Sequence, residues 1–247
     1  LASAQIPGGV TAIGISVFKR CTRLAAVTIP GSVTLIEACA FYGCSSLASV
    51  AIPSSVCEIG ARAFKNCSKL TSVVIPDSVM CIGRATFEGC YGLTSVTISK
   101  SVTWIAEGAF RGCTGLVSVM VPDRVTDIGP SAFEECSNLR FVTISDRSNR
   151  IRQSAFKGCR SLTSVTVPGG VTHIGSSAFE GCSGITTIAI PGSVSHVANN
   201  AFKDCNGLTS VIIHGESTAF SADCFDSCQR LVVVVAAPAL AVGLQNI

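Results

Sequence analysis

The sequence predicts an α/β repeat solenoid, each coil carrying a parallel strand on one side and a short helical turn on the other. Three columns of residues carry this expectation. Phenylalanine stands at 18, 41, 64, 87, 110, 133, 156, 179, 202 and 225, and cysteine at 21, 44, 67, 90, 113, 136, 159, 182, 205 and 228. A third column, leucine with one isoleucine, runs from Leu1 through Leu24, Leu47 and Ile185 to Leu231 at the same 23-residue step. No insertion or deletion breaks the register. A fixed period of this length means one supersecondary unit per repeat, each burying its apolar face against the next.

Each element of the unit has its own warrant. Leu93-Thr-Ser-Val-Thr-Ile98 alternates apolar and small polar residues with the period of a half-buried strand. Proline follows in Ile52-Pro53, Ile75-Pro76 and Ile190-Pro191. It has no N–H for a ladder and its fixed φ suits the first corner of a type I turn. Val and Ile of the next segment return to the core. Ser131, Ser154, Ser177, Asn200 and Asp223 stand where a helix N-cap belongs, just before the repeated Phe and its small neighbour. Gly43, Gly89, Gly112, Gly158 and Gly181, with Asn66 in the same slot, supply the left-handed residue that closes that turn. The leucine column gives eleven strand segments, expected to stack in parallel about 4.8 Å apart. Residues 1–235 read as one solenoid domain, and 236–247 as a tail outside the register.

The unit I-P-x-S-V-T-x-I-G-x-x-A-F-x-G-C-x-x-L-T-S-V-x resembles the Treponema pallidum-type, or BspA-like, leucine-rich repeat. That resemblance covers roughly residues 1–235. It implies a right-handed coil with a concave parallel β-sheet and short helical turns on the convex side. It also implies a secreted or cell-surface protein that binds host proteins, matrix or other cells. An internal scaffold, binding a neighbouring subunit of an assembly, is the alternative. An ice- or water-ordering array of Ser and Thr is a remote one, since Ala51, Val74, Met120, Ala189 and Ile212 interrupt the array.

Composition excludes other classes. Only 13% of residues are charged, about half the usual share, and a net charge of +3 is too small to argue for nucleic acid. No run of eighteen apolar residues exists to span a bilayer. Of fourteen cysteines, ten fill one core column, where a small apolar side chain belongs and a free thiol is expected. Cys39, Cys57, Cys81 and Cys224 fall off that column, the first three being expected at the surface. No nucleophile-elbow, phosphate-loop or metalloprotease motif occurs, so no catalytic residue and no cofactor is expected. His173 and His196 share a slot, but Arg150 before them and Ala219 after them give no third metal ligand. Asn66-Cys67-Ser68 is a lone glycosylation sequon.

The slot after the repeated Phe alternates in sign, with Lys65, Glu88, Arg111, Glu134, Lys157, Glu180, Lys203 and Asp226. Neighbours one coil apart are expected to form an ion-pair ladder that fixes register. Elsewhere the outward strand slots are mostly Ser and Thr. Met120, Arg140 and Phe141 break that background, with Arg124, Arg147 and Arg150 in the following turn and slots, and Trp104, the lone tryptophan, in a slot nearby. Apolar and aromatic groups beside arginine are the composition of a protein-binding hot spot. Ser148 and Arg152 depart from the core Val and the Gly of their slots in the same repeat.

Overall fold

The repeats lay down three segments, although residues 48–52 form no strand in the first and Ser164 makes only an isolated bridge there. The first is a short strand, such as Ala26–Thr28, Ser72–Val74, Thr187–Ile190 or Ser210–Ile213. The second is a two-residue strand, such as Leu35–Ile36, Trp104–Ile105 or His173–Ile174. The third is a run of tight turns through the Phe and Cys slots. The computed structural model of the chain describes residues 2–236. Leu1 and the tail expected from 236, apart from Ala236, lie outside the described residues.

Strands pair in parallel with partners one repeat away, Ser72 with Ser95 in the first ladder and His173 with His196 in the second. The 23-residue step therefore becomes a spatial register, and side chains of one slot stack on themselves. Phe41 to Phe202 are fully buried, and successive rings from Phe18 to Phe225 lie 5.2 to 5.6 Å apart and nearly parallel. Leucine, isoleucine and valine columns from both ladders complete the core. Apolar burial on this scale is what holds coils that have no long-range contact except with their neighbours.

The expected helical turns are absent among the described residues, and the backbone shows why. At Ser131, Phe133 and Glu135 the N–H groups donate forward to carbonyls of the next coil, at 2.9, 2.9 and 2.7 Å. The N–H groups between them, of Ala132, Glu134 and Cys136, turn back three residues, at 3.2, 3.2 and 3.1 Å. A helix would commit every donor to its own chain four residues back, leaving none for the stack. This side of the coil is therefore a third inter-coil ladder built from turns. Its geometry needs two left-handed residues per turn, Ser131 (φ 53°) and Glu135 (φ 59°) in this repeat. Ser154, Ser177 and Asn200 are likewise left-handed, at φ 54°, 56° and 57°, so they are turn residues and not helix caps. The glycine slot matches its expectation, as at Gly89 and Gly158 with φ 71° and 73°.

The cysteine column lies inside this turn side. From Cys44 to Cys228 each thiol of the column donates to the carbonyl of the Phe 26 residues earlier, as Cys113 to Phe87 and Cys136 to Phe110, both at 3.2 Å. Burial pushes Cys90 and Cys136 up to about 12, which keeps them protonated and unreactive near neutral pH. Only the terminal members, Cys21 and Cys228, are half-buried, and all fourteen cysteines are free. Off the column, Cys57 is exposed, Cys39 and Cys81 are half-buried, and Cys224 is buried.

Candidate functional site

Regular repeats give the background against which a site stands out. In the turn between the two ladders, a serine hydroxyl donates to a valine carbonyl of the preceding coil: Ser32 to Val10, Ser55 to Val33 and Ser193 to Val171, at 2.6 to 2.7 Å. Ser78 bonds Val56 in the same way. Outward slots of the first ladder there carry small side chains. Rungs are numbered from the leucine column, so that rung five begins at Leu93, six at Leu116 and seven at Leu139.

Rungs five to seven depart from that background on three segments. In the first ladder, Phe141 pairs with Ser118 and bridges to Ser164, and its ring is 57% exposed between those two serines. Met120, 73% exposed, stands two residues beyond Ser118 on the neighbouring rung. That places it diagonal to Phe141, a spacing that long side chains can bridge. Arg140 is exposed, and its N–H donates to the carbonyl of Val117, itself an exposed apolar residue. In the turn, Arg124 and Arg147 are exposed in the serine slot. Met120 and Arg124 line one groove of about 400 Å³ with Ile98, Lys100, Val121, Pro122 and Asp123.

Trp104 and Arg150 belong to the second ladder. Trp104 pairs with Cys81 and Asp127 and is half exposed, while Arg150 pairs with His173. The residues expected as one cluster are thus spread over a strand, a turn and a second strand. The groove joins only Met120 and Arg124 among them.

The second ladder breaks between rungs three and four, after Glu58–Ile59, and again between rungs six and seven, where Asp127–Ile128 pairs back toward Trp104 and Arg150–Ile151 pairs forward toward His173. In most other repeats, Gly83 excepted, the residue after this short strand donates its N–H to the preceding coil, as Gly129 to Ile105 and Gly175 to Ile151, both at 2.8 Å. Ala106 and Ala198 do so too, so a Cβ alone is tolerated. At Arg152 that bond is missing. Its guanidinium spans the gap and grips Asp127 with two bonds, from Nε at 3.0 Å and Nη2 at 2.8 Å. The carboxylate beside it raises the Arg152 pKa further. Ser148 is buried in the valine slot, its hydroxyl 3.4 Å from the Val125 carbonyl. The fork was not foreseen, although an arginine one repeat and two residues beyond an aspartate was a visible signal.

The charge ladder on the turn side forms in part. Glu88 receives Lys65 at 2.7 Å and Arg111 at 3.9 Å, and Arg111 reaches Glu134 at 3.4 Å. Lys157–Glu180 and Lys203–Asp226 follow at 3.0 and 2.8 Å. The steps from Glu134 to Lys157 and from Glu180 to Lys203 do not close. His173 and His196 have ring centroids 6.5 Å apart, and His173 Nδ1 meets the Thr172 hydroxyl at 2.9 Å. Among the described residues, no three His, Cys, Asp or Glu side chains converge as a metal site would need. Asn66 is half-buried and left-handed (φ 61°), with its amide lying over Gly89.

Parallel ladders repeating every 23 residues around stacked Phe, Leu and Cys columns define a leucine-rich-repeat solenoid. The chain belongs to the BspA type leucine rich repeat family, whose model matches residues 1–117 and 104–232. This family is a non-enzymatic repeat class. A leucine rich cell surface protein from Faecalibacterium prausnitzii is 26% identical, with 96% of this chain and 88% of that one covered and a TM-score of 0.51. A leucine-rich repeat protein from Bacteroides ovatus is 25% identical over 95% of this chain and 78% of its own, with a TM-score of 0.51. The T. pallidum leucine rich repeat protein is 25% identical over 74% of this chain and 78% of its own, with a TM-score of 0.53. No curated protein sequence matches the chain. Among the described residues, no helix is long and apolar enough to cross a membrane.

Proposed function

We infer that the chain is a non-catalytic, protein-binding repeat domain of a cell-surface or secreted protein. Its contact surface centres on the strand side of rungs five to seven. The observation that carries this reading is Phe141: a phenylalanine 57% exposed in a slot where its ladder neighbours are Ser118 and Ser164. Folding gains little from an aromatic ring left in water, whereas a partner that covers it gains apolar burial and shape. Met120 beside it is unbranched and adapts to a partner's contour. Arg140 and Arg150 add forked donors for carboxylates on the partner. The likeness to a cell surface protein over almost the whole chain supports the location.

The test is a footprint. With a purified partner, hydrogen exchange and carboxyl or arginine labelling should show protection on Phe141, Met120 and Arg140. Protection confined to the turn side, around Lys65, Arg111 and Glu134, would contradict the assignment.

A further inference from the structure

We propose that the groove beside Met120 receives an acidic peptide segment of the partner, one apolar side chain in the groove and carboxylates on the arginines around it. This deepens the protein-binding reading and rests on it. In four repeats a serine in the turn between the ladders bonds the coil behind it, as Ser55 does to Val33 and Ser193 to Val171, while Ser101, Gly170 and Glu216 in the same slot do not. Arg124 and Arg147 stand there on consecutive rungs without that bond, and in the second of these coils the Ser145 hydroxyl ties back to the Asp123 carbonyl instead, at 2.8 Å. The two arginines also place like charges one rung apart, a spacing of about 4.8 Å at the backbone, which disfavours folding slightly. Neither closes an ion pair among the described residues; the arginines that do are Arg84, Arg111 and Arg152. Two exposed cations in one slot on adjacent rungs, the first of them lining the groove, point outward to a ligand.

The groove's floor is Ile98 and Val121, both buried, and Met120 forms an exposed wall. Lys100 and Arg124 line it against Asp123, and Arg147 follows Arg124 in the same exposed slot one rung on. Asp127, which would neutralise Arg150, is held by Arg152 instead. Asp123 lines the groove itself, so a densely charged polyanion such as a sulfated polysaccharide would meet repulsion at its centre. A peptide avoids this by setting an apolar residue there and its carboxylates at the rim, where forked guanidinium bonds are available.

The probe is a short fluorescein-labelled peptide of glutamates around one central leucine, read by fluorescence anisotropy at low and high salt. The chain should bind it, and should bind the same peptide with serine in place of leucine at least about tenfold more weakly. Arg124→Ser with Arg147→Ser should weaken the leucine peptide by about tenfold, with an unchanged or higher melting temperature, because the slot's ordinary hydrogen bond returns. Met120→Thr, the residue of neighbouring Thr97 and Thr143, should also weaken it. Equal binding of the two peptides, no binding of either, or tighter binding of a sulfated oligosaccharide overturns the proposal. Loss of intact-partner binding in Phe141→Ser with Arg140→Thr is measured separately. That loss alongside silent peptides sinks the acidic-peptide inference alone, whereas its absence sinks the protein-binding reading.

Discussion

Rungs nine and ten and rungs six and seven are made from the same unit, yet their ladders differ. In the former, Thr187–Ile190 and Ser210–Ile213 pair over four residues, and the second ladder continues from His196 to Ala219. In the latter, Phe141–Val142 pairs over two residues, and the second ladder parts after Asp127. The core does not register the difference. Phe133, Phe156 and Phe179 are all fully buried, with their rings 5.6 and 5.4 Å apart across the break. The turn side therefore carries stability and register, which leaves the strand side and its turns free to vary. That division lets one repeat array hold a local recognition surface without a separate domain.

The sharpest way to break this comparison uses one residue type in both settings. Phe179→Ala should cost about 3–5 kcal/mol in denaturant unfolding, because a fully stacked ring leaves a cavity. Phe141→Ala should stay within about 0.5 kcal/mol. If the two cost the same, Phe141 is a core residue and the reading of the strand side fails. Next in size is the turn-side charge ladder. Glu134→Lys sets three cations on consecutive rungs with Arg111 and Lys157, and should lose on the order of 1 kcal/mol, less at high salt. A loss independent of salt would remove the electrostatic account. The smallest effect belongs to the fork across the break. Asp127→Asn should cost about 0.5–1 kcal/mol, since the pair is partly exposed, while melting of rungs eight to ten stays unchanged. Thiol labelling then sharpens the division: native Cys57 should react quickly, and Cys90 and Cys136 only after unfolding.

Much of this was legible because a repeat supplies its own controls. The Phe and Cys columns, the parallel register and the outlying Met120, Arg140 and Phe141 follow from comparing one repeat with the next. The turn was misread for a physical reason. Ser131 and Ser154 before Ala-Phe look like N-caps, and small polar residues serve both caps and left-handed turns. Only the next coil, which takes every second N–H, decides between them. Arg152 needed the same comparison across coils: its partner Asp127 lies one repeat and two residues earlier, a spacing visible only when consecutive repeats are aligned. The groove at Met120 depends on how a strand edge and a turn fit together, which no single column encodes.

The central claim is that binding resides on rungs five to seven of the strand side. Its most direct measurement is the dissociation constant for the purified partner of the wild-type chain, of Phe141→Ala with Arg140→Ala, and of Ser72→Ala with Ser95→Ala as the control. The account predicts a loss of at least ~2 kcal/mol, about thirtyfold, for the first pair and almost none for the second. Equal effects of the two pairs, or no effect of the first, would contradict it.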